Sequence, residues 1–128
     1  MMTKPLQPPR LRAFPILCAA LLLGFLALPA RALMAGEILG APDQFDHKEV
    51  VLTGRADAVR PRVSHHGNEY TTFTLTQQTG QITIFSWGRL PINSGDRVEV
   101  HGVFQRVKHV GRYTYSNQVD ASSVRRVQ

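Results

Sequence analysis

The hydrophobic pattern is that of short strands. In "KEVVLTGRADAVRPR", Val50, Leu52, Gly54, Ala56 and Ala58 share one parity, and Val51, Thr53, Arg55 and Asp57 take the other. A period of two is the signature of a half-buried strand, and Pro61 is expected to close this one. "VSHHGNE" is a loop by composition. "YTTFTLTQ" then places Thr71, Phe73 and Leu75 on one face and Thr72, Thr74 and Thr76 on the other, and "QITIFSW" returns after a Thr-Gly turn. Its aromatic residues Phe85 and Trp87 are out of phase with the core positions Ile82 and Ile84. "GRLPINSGD" is a connection without room for a long helix. "RVEVHGVFQRV" is a fourth strand, "KHVGR" a turn, and "YTYSNQVDASSVRRV" a fifth strand that buries Val119, Ala121 and Val124.

Five strands in a small domain must hide their edges, and closure into a barrel does so. Two strands carry an interior glycine, Gly54 and Gly102, as sharply bent barrel strands do. Residues 33–47 precede them without clear periodicity. They are expected to form a lead-in with one helical turn, lying across the domain through Ile38, Leu39 and Phe45.

The first 32 residues change the picture of charge. Lys4, Arg10 and Arg12 precede an uncharged run from Ala13 to Ala30, and Ala30-Arg31-Ala32 follows. This is the layout of a secretory signal cleaved after Ala32. The alternative is an uncleaved anchor, since the run is at the lower limit for a spanning helix. Cys18 follows Leu17 rather than a small residue, which argues against a lipoprotein. The chain has 15 basic and 9 acidic residues, a formal +6. Removing the four basic residues of the signal leaves eleven against nine, or +2. The mature segment would also lack cysteine, which excludes disulfides and thiolate metal sites.

The ordered series "VVLTGRADAV", "YTTFTLTQQTGQITIFSWG", "INSGDRVEVHGVFQRV" and "YTYSNQVDASSV" resembles the OB-fold nucleic-acid-binding domain of the anticodon-binding type, here in an exported, bacterial-type small protein. The resemblance covers about Lys48 to Val127. Its most specific parts are the strand-Thr-Gly-strand hairpin and Ser94 to Val98. It departs in having Gln77 and Gln78 where the family often has an acidic residue, and in a short connection between strands three and four. The expected fold class is all-β: a five-stranded OB-fold barrel over residues 48–128, preceded by the lead-in 33–47 and the signal peptide or anchor 1–32.

The resemblance implies that the outward face of strands two and three is the ligand face. Phe85 and Trp87 would stack on unpaired bases, with Tyr70 or Tyr115 adding a contact. Arg60 and Arg62 on one flanking loop, and Arg106, Lys108 and Arg112 on the other, would hold phosphates. A competing reading packs both rings under the lead-in, because exposed rings are costly to leave wet. The expected function is a non-enzymatic module for single-stranded nucleic acid, monomeric, periplasmic or secreted. The membrane is a partner only if the N-terminal segment stays attached. The alternative is an envelope stress or assembly protein that holds a peptide, a protein or a small ligand in the same groove.

Other chemistry finds little support. His65 and His66 are adjacent loop residues without an obvious third ligand, so no metal and no cofactor is expected. "HVGRY", His109 to Tyr113, resembles the His-x-x-x-Tyr motif of the periplasmic haem chaperone of cytochrome c maturation. In that family the motif follows the last barrel strand, whereas here it precedes it. No nucleophile elbow and no phosphate-binding glycine loop is present, and the aspartates are scattered.

Overall fold

The computed structural model describes residues 32–128. The signal or anchor reading covers residues 1–32 and lies, apart from Ala32, outside the described residues. Two short helices, α1 (Ala35–Gly40) and α2 (Pro42–Phe45), precede five strands: β1 (Glu49–Val63), β2 (Glu69–Gln77), β3 (Gly80–Trp87), β4 (Arg97–Val110) and β5 (Tyr113–Arg126). The strands close in the order β1-β2-β3-β5-β4. All neighbours are antiparallel except β3 and β5. The chain is thus a five-stranded OB-fold barrel, as its strand pattern implies.

Closure depends on strands that serve two neighbours. The first half of β1 pairs with β4, and from Arg55 onward it pairs with β2. Gly54 lies at this crossover, where a Cβ would stand 2.7 Å from the Thr76 carbonyl oxygen. At Gly102 a Cβ would overlap the Asp120 carbonyl oxygen and lie 2.8 Å from the Ala121 Cα. The β4–β5 ladder shifts register at that point. Only a residue without a side chain lets the backbones come this close.

The interior is filled by Val50, Leu52, Ala56, Phe73, Leu75, Ile82, Ile84, Val98, Val100, Phe104 and Val119. These are the in-phase positions of the alternating pattern, as expected for strands with one face inward. Thr71 is the polar exception on β2 and is 1% exposed.

Two boundaries differ from the sequence reading. Pro61 does not end β1, which continues to Val63 paired with Glu69. This stretch has β2 on one flank and no β4 partner on the other, a setting in which a missing N–H is tolerated. The turn expected at Lys108–Arg112 shrinks to Gly111 and Arg112, and β4 and β5 extend as a long hairpin beyond the barrel.

A third difference decides the site. Ala58, expected in the core, is exposed and has φ 53°. The β1–β2 register shifts between Asp57 and Arg60. Without this bulge, Arg60 and Arg62 would continue the inward phase of Ala56. With it, the phase flips and both arginines face outward.

The lead-in closes one end of the barrel. Ile38 is fully buried in the core, with Leu33 and Phe45 packed against it. The Ala35 and Gly36 amides donate to Gln77 Oε1 (2.5 Å) and Thr79 Oγ1 (3.1 Å), and Gln77 Nε2 donates to the Thr53 carbonyl (2.7 Å). One carboxamide therefore ties α1, β2 and β1 together. These contacts engage the Gly80 end of β3, at the opposite end of the strand from Trp87.

Candidate functional site

The register of β1, β2, β3 and β5 builds the outward face in rows. Residues directly opposite each other across a ladder project to the same side. One row is Arg62, Tyr70 and Trp87; the next is Arg60, Thr72, Phe85 and Asp120. The bulge at Ala58 adds the cations to both rows, and the phase of β3 adds the rings.

The three rings form one cluster. Tyr70 stacks on Phe85 at 5.3 Å between centroids, and Trp87 meets Phe85 edge-on at 5.0 Å and Tyr70 at 6.1 Å. Such pairs add about 0.5–1.5 kcal/mol each beyond area burial, so the three rings favour one mutual arrangement. Trp87 is its open member, with 62% of its surface exposed. The indole forms one wall of a cleft of about 480 Å³ lined by Gly67, Asn68, Glu69 and Gly88. Thr71 fixes the chain just beyond it: its hydroxyl donates to the Gly88 carbonyl (2.8 Å) and accepts from the Leu90 amide (3.2 Å).

Phe85 is less open than the sequence suggests. The Lys108 ammonium lies 4.4 Å from its ring centroid, a cation–π contact. That ammonium also pairs with Asp120, at 3.0 and 3.1 Å from its two carboxylate oxygens. The stacking surface is therefore Trp87, with Tyr70 and Phe85 supporting it. The lead-in is anchored elsewhere, on Val51 of β1, on Gln77 and Thr79 at the β2–β3 turn, and on Phe104 and Arg106 of β4.

The remaining candidates divide between the face and the hairpin arm. Arg60 and Arg62 have no ion-pair partner among the described residues. Arg106 turns away toward the lead-in, with its Nε 2.9 Å from Asp43 Oδ1 and its amide on Asp46 Oδ1. Arg112 sits exposed in the turn at the tip of the arm. Tyr115 is directly opposite Lys108, and Tyr113 opposite Val110. These four residues share the side of the arm from which Lys108 reaches Phe85.

Asp120, Gln118, Val110 and Tyr113 are members of this surface that the strand pattern did not single out. Gln118 and Asp120 flank the core residue Val119, and that alternation was the available signal. The face ends at a third row, Asp57, Thr74, Thr83 and Gln118. Hydrogen bonds from Arg55 and then Thr76 hold the Asp57 carboxyl below its ordinary pKa. Its charge is paired with Arg55, whose Nε lies 3.0 Å from Asp57 Oδ1, so this row offers a satisfied ion pair rather than a free cation.

His109 and Tyr113 lie on opposite sides of the hairpin arm, because His109 faces Thr114 and Tyr113 faces Val110. The two side chains cannot converge on one ligand there. Among the described residues, no group of three or more His, Cys, Asp or Glu side chains is arranged to hold a metal ion.

No family model and no curated protein matches the sequence. Solved structures do match. An aspartyl-tRNA synthetase from Entamoeba histolytica aligns with TM-score 0.57 and 13% identity, over 79% of this chain and 23% of that one. An aspartyl-tRNA synthetase from Leishmania major Friedlin aligns with TM-score 0.54 and 12% identity, over 87% and 26%. The second OB-fold domain of replication protein A from Methanococcus maripaludis aligns with TM-score 0.47 and 15% identity, over 65% and 87%. This chain thus spans about a quarter of either synthetase chain, and at these identities the likeness concerns the fold.

Proposed function

We propose that this chain is a non-enzymatic binding module that takes single-stranded nucleic acid on the outward face of β1, β2 and β3. The observation that carries this reading is the alignment of Arg62, Tyr70 and Trp87 in one cross-strand row, beside Arg60 and Phe85 in the next. A base stacks on the open indole, and the strand's backbone runs past Arg60 and Arg62, with Lys108 and Arg112 reached from the arm. Stacking of this kind is tolerant of sequence, because every base has a π-face. Two fold neighbours carry the name aspartyl-tRNA synthetase, which agrees with a nucleic-acid ligand, although the fold also hosts unrelated functions. The basic, apolar and small-residue layout of residues 1–32 supports export, so the module works in the periplasm or outside the cell.

A second reading draws on Val110 and Tyr113, exposed directly opposite each other on one side of the arm. An apolar pair of this kind suits a peptide or protein partner of an envelope assembly factor better than a phosphate backbone. The two readings separate in salt. Nucleic-acid binding weakens by a log–log slope of about −0.7 per phosphate contact on a single strand, and apolar binding does not. Fluorescence anisotropy of a labelled oligothymidylate of about eight nucleotides, within the usual OB-fold site size, tests the first reading. Saturable binding that fades with salt supports it; no binding at low salt overturns it.

A further inference from the structure

Asp120 is out of place on a surface suited to phosphate. It stands beside Phe85 in the parallel β3–β5 register, at the β5 edge of the ligand face. Its carboxylate is held on two sides. Gln118, only 5% exposed, donates from Nε2 to Oδ1 at 3.0 Å, and Lys108 spans both oxygens. The Lys108 and Asp120 side chains remain 24% and 29% exposed, so both are within reach of a ligand.

A bound strand offers Lys108 a second partner. Its phosphates compete with Asp120 for the ammonium, and each choice has a cost. If Lys108 stays, the strand loses a phosphate contact. If Lys108 moves, the carboxylate is left charged and unpaired beside a polyanion. The second cost disappears only when the strand itself donates to both freed oxygens.

A carboxylate has about four acceptor positions, and Lys108 occupies one on each oxygen. Vacated together, these positions lie side by side, with the carboxylate plane still fixed by buried Gln118. Guanine has adjacent N1–H and N2–H donors on its Watson–Crick edge and can fill both at once. Adenine and cytosine offer one amino group there. Thymine and uracil offer one N–H between two carbonyl oxygens, which repel a carboxylate. A polar site left without its partner discriminates more strongly than one that merely gains a contact.

We infer that Asp120, positioned by Gln118 and released by Lys108, makes this face selective for single strands that carry guanine. The inference rests on the nucleic-acid reading above. It assigns Asp120 a direct contact with the base, and Gln118 and Lys108 the roles of positioning residues.

The test uses the full chain and anisotropy of a labelled oligothymidylate, compared with the same strand carrying one central guanine, hypoxanthine or adenine. Hypoxanthine keeps N1–H and lacks the N2 amino group, so it isolates the second donor without changing the protein. A parallel oligouridylate series asks the same question of RNA. In at least one series, guanine should tighten binding roughly tenfold, the scale of one good bidentate base contact. Hypoxanthine and adenine should bind like the parent strand. Asp120→Asn should abolish the guanine step and bind the parent strand more tightly than the native protein does, because a negative charge has gone. That crossover is not expected of a merely structural change. Equal binding of guanine and hypoxanthine strands, or a guanine step that persists in Asp120→Asn, overturns the inference and leaves nucleic-acid binding standing. Failure of every strand to bind overturns both.

Discussion

The two ends of β3 treat apolar surface in opposite ways. At the Gly80 end, the lead-in buries Ile38 completely and fixes its first amides on Gln77 and Thr79. At the other end, Trp87 stays 62% exposed while its neighbours Tyr70 and Phe85 brace it. The chain thus had a covering segment available and used it to close the barrel, not to hide its indole. Burying a side chain the size of Ile38 is worth about 1.5–3 kcal/mol, and an exposed indole forgoes a similar gain. The closed end stabilises the barrel; the open end forgoes stability and keeps a surface free for a ligand.

Substitutions should separate the two ends. The largest effect is expected from Ile38→Ala, which empties part of the core and should cost about 2–5 kcal/mol in a urea melt. Oligonucleotide affinity of the folded fraction should not change. Trp87→Ala should act mainly on binding. Stability should fall by no more than about 1–3 kcal/mol, the worth of its two ring pairs, while binding weakens by about 1–3 kcal/mol per stacked base in an anisotropy titration. A loss of stability in Trp87→Ala with no loss of binding would make the indole a structural cap.

The charged rows give smaller effects. Arg60→Ala and Arg62→Ala should each flatten the salt slope by about 0.7 if each arginine holds one phosphate. Arg106→Ala should leave the slope nearly unchanged, because that guanidinium already serves Asp43. The smallest effect concerns pH. The Asp57 and Glu99 carboxyls are both lowered, mainly by hydrogen bonds from Arg55 and His101 respectively. A carboxylate lowered in the folded state contributes stability fully above its unfolded pKa and loses it as pH falls through its folded value. The melting temperature should therefore decline modestly on acidification below the ordinary carboxylate range, and less steeply in Asp57→Asn. An unchanged decline in that variant would remove Asp57 from the account.

Most of the barrel was legible because alternation reports which side faces inward, and strands of this size have few ways to hide their edges. Phe85 and Trp87 were legible for the same reason: large rings out of phase with the core must face out. The arginine rows were only half legible. Arg60 and Arg62 stood out by charge, but their place on the ring face depends on the bulge at Ala58. An alanine with positive φ leaves no mark in the hydrophobic pattern. Arg106 and Lys108 looked alike in sequence, yet tertiary contacts send one to Asp43 and the other onto Phe85 and Asp120. Partner choice among surface charges is set by the fold and is invisible to spacing alone. The lead-in showed only apolar residues in need of burial, and two destinations were open to them.

Trp87 is the only tryptophan in the sequence, so its emission reports on the open face without a label. Titrating the full chain with an unlabelled oligothymidylate should quench that emission saturably at low salt. The midpoint should then shift to higher oligonucleotide concentration as salt is raised, with a log–log slope near −2 for phosphate contacts from Arg60, Arg62 and Arg112 on a strand without guanine, where Lys108 stays on Asp120. Emission that stays unchanged to saturating oligonucleotide at low salt would contradict the claim that the indole and its flanking arginines form a nucleic-acid surface.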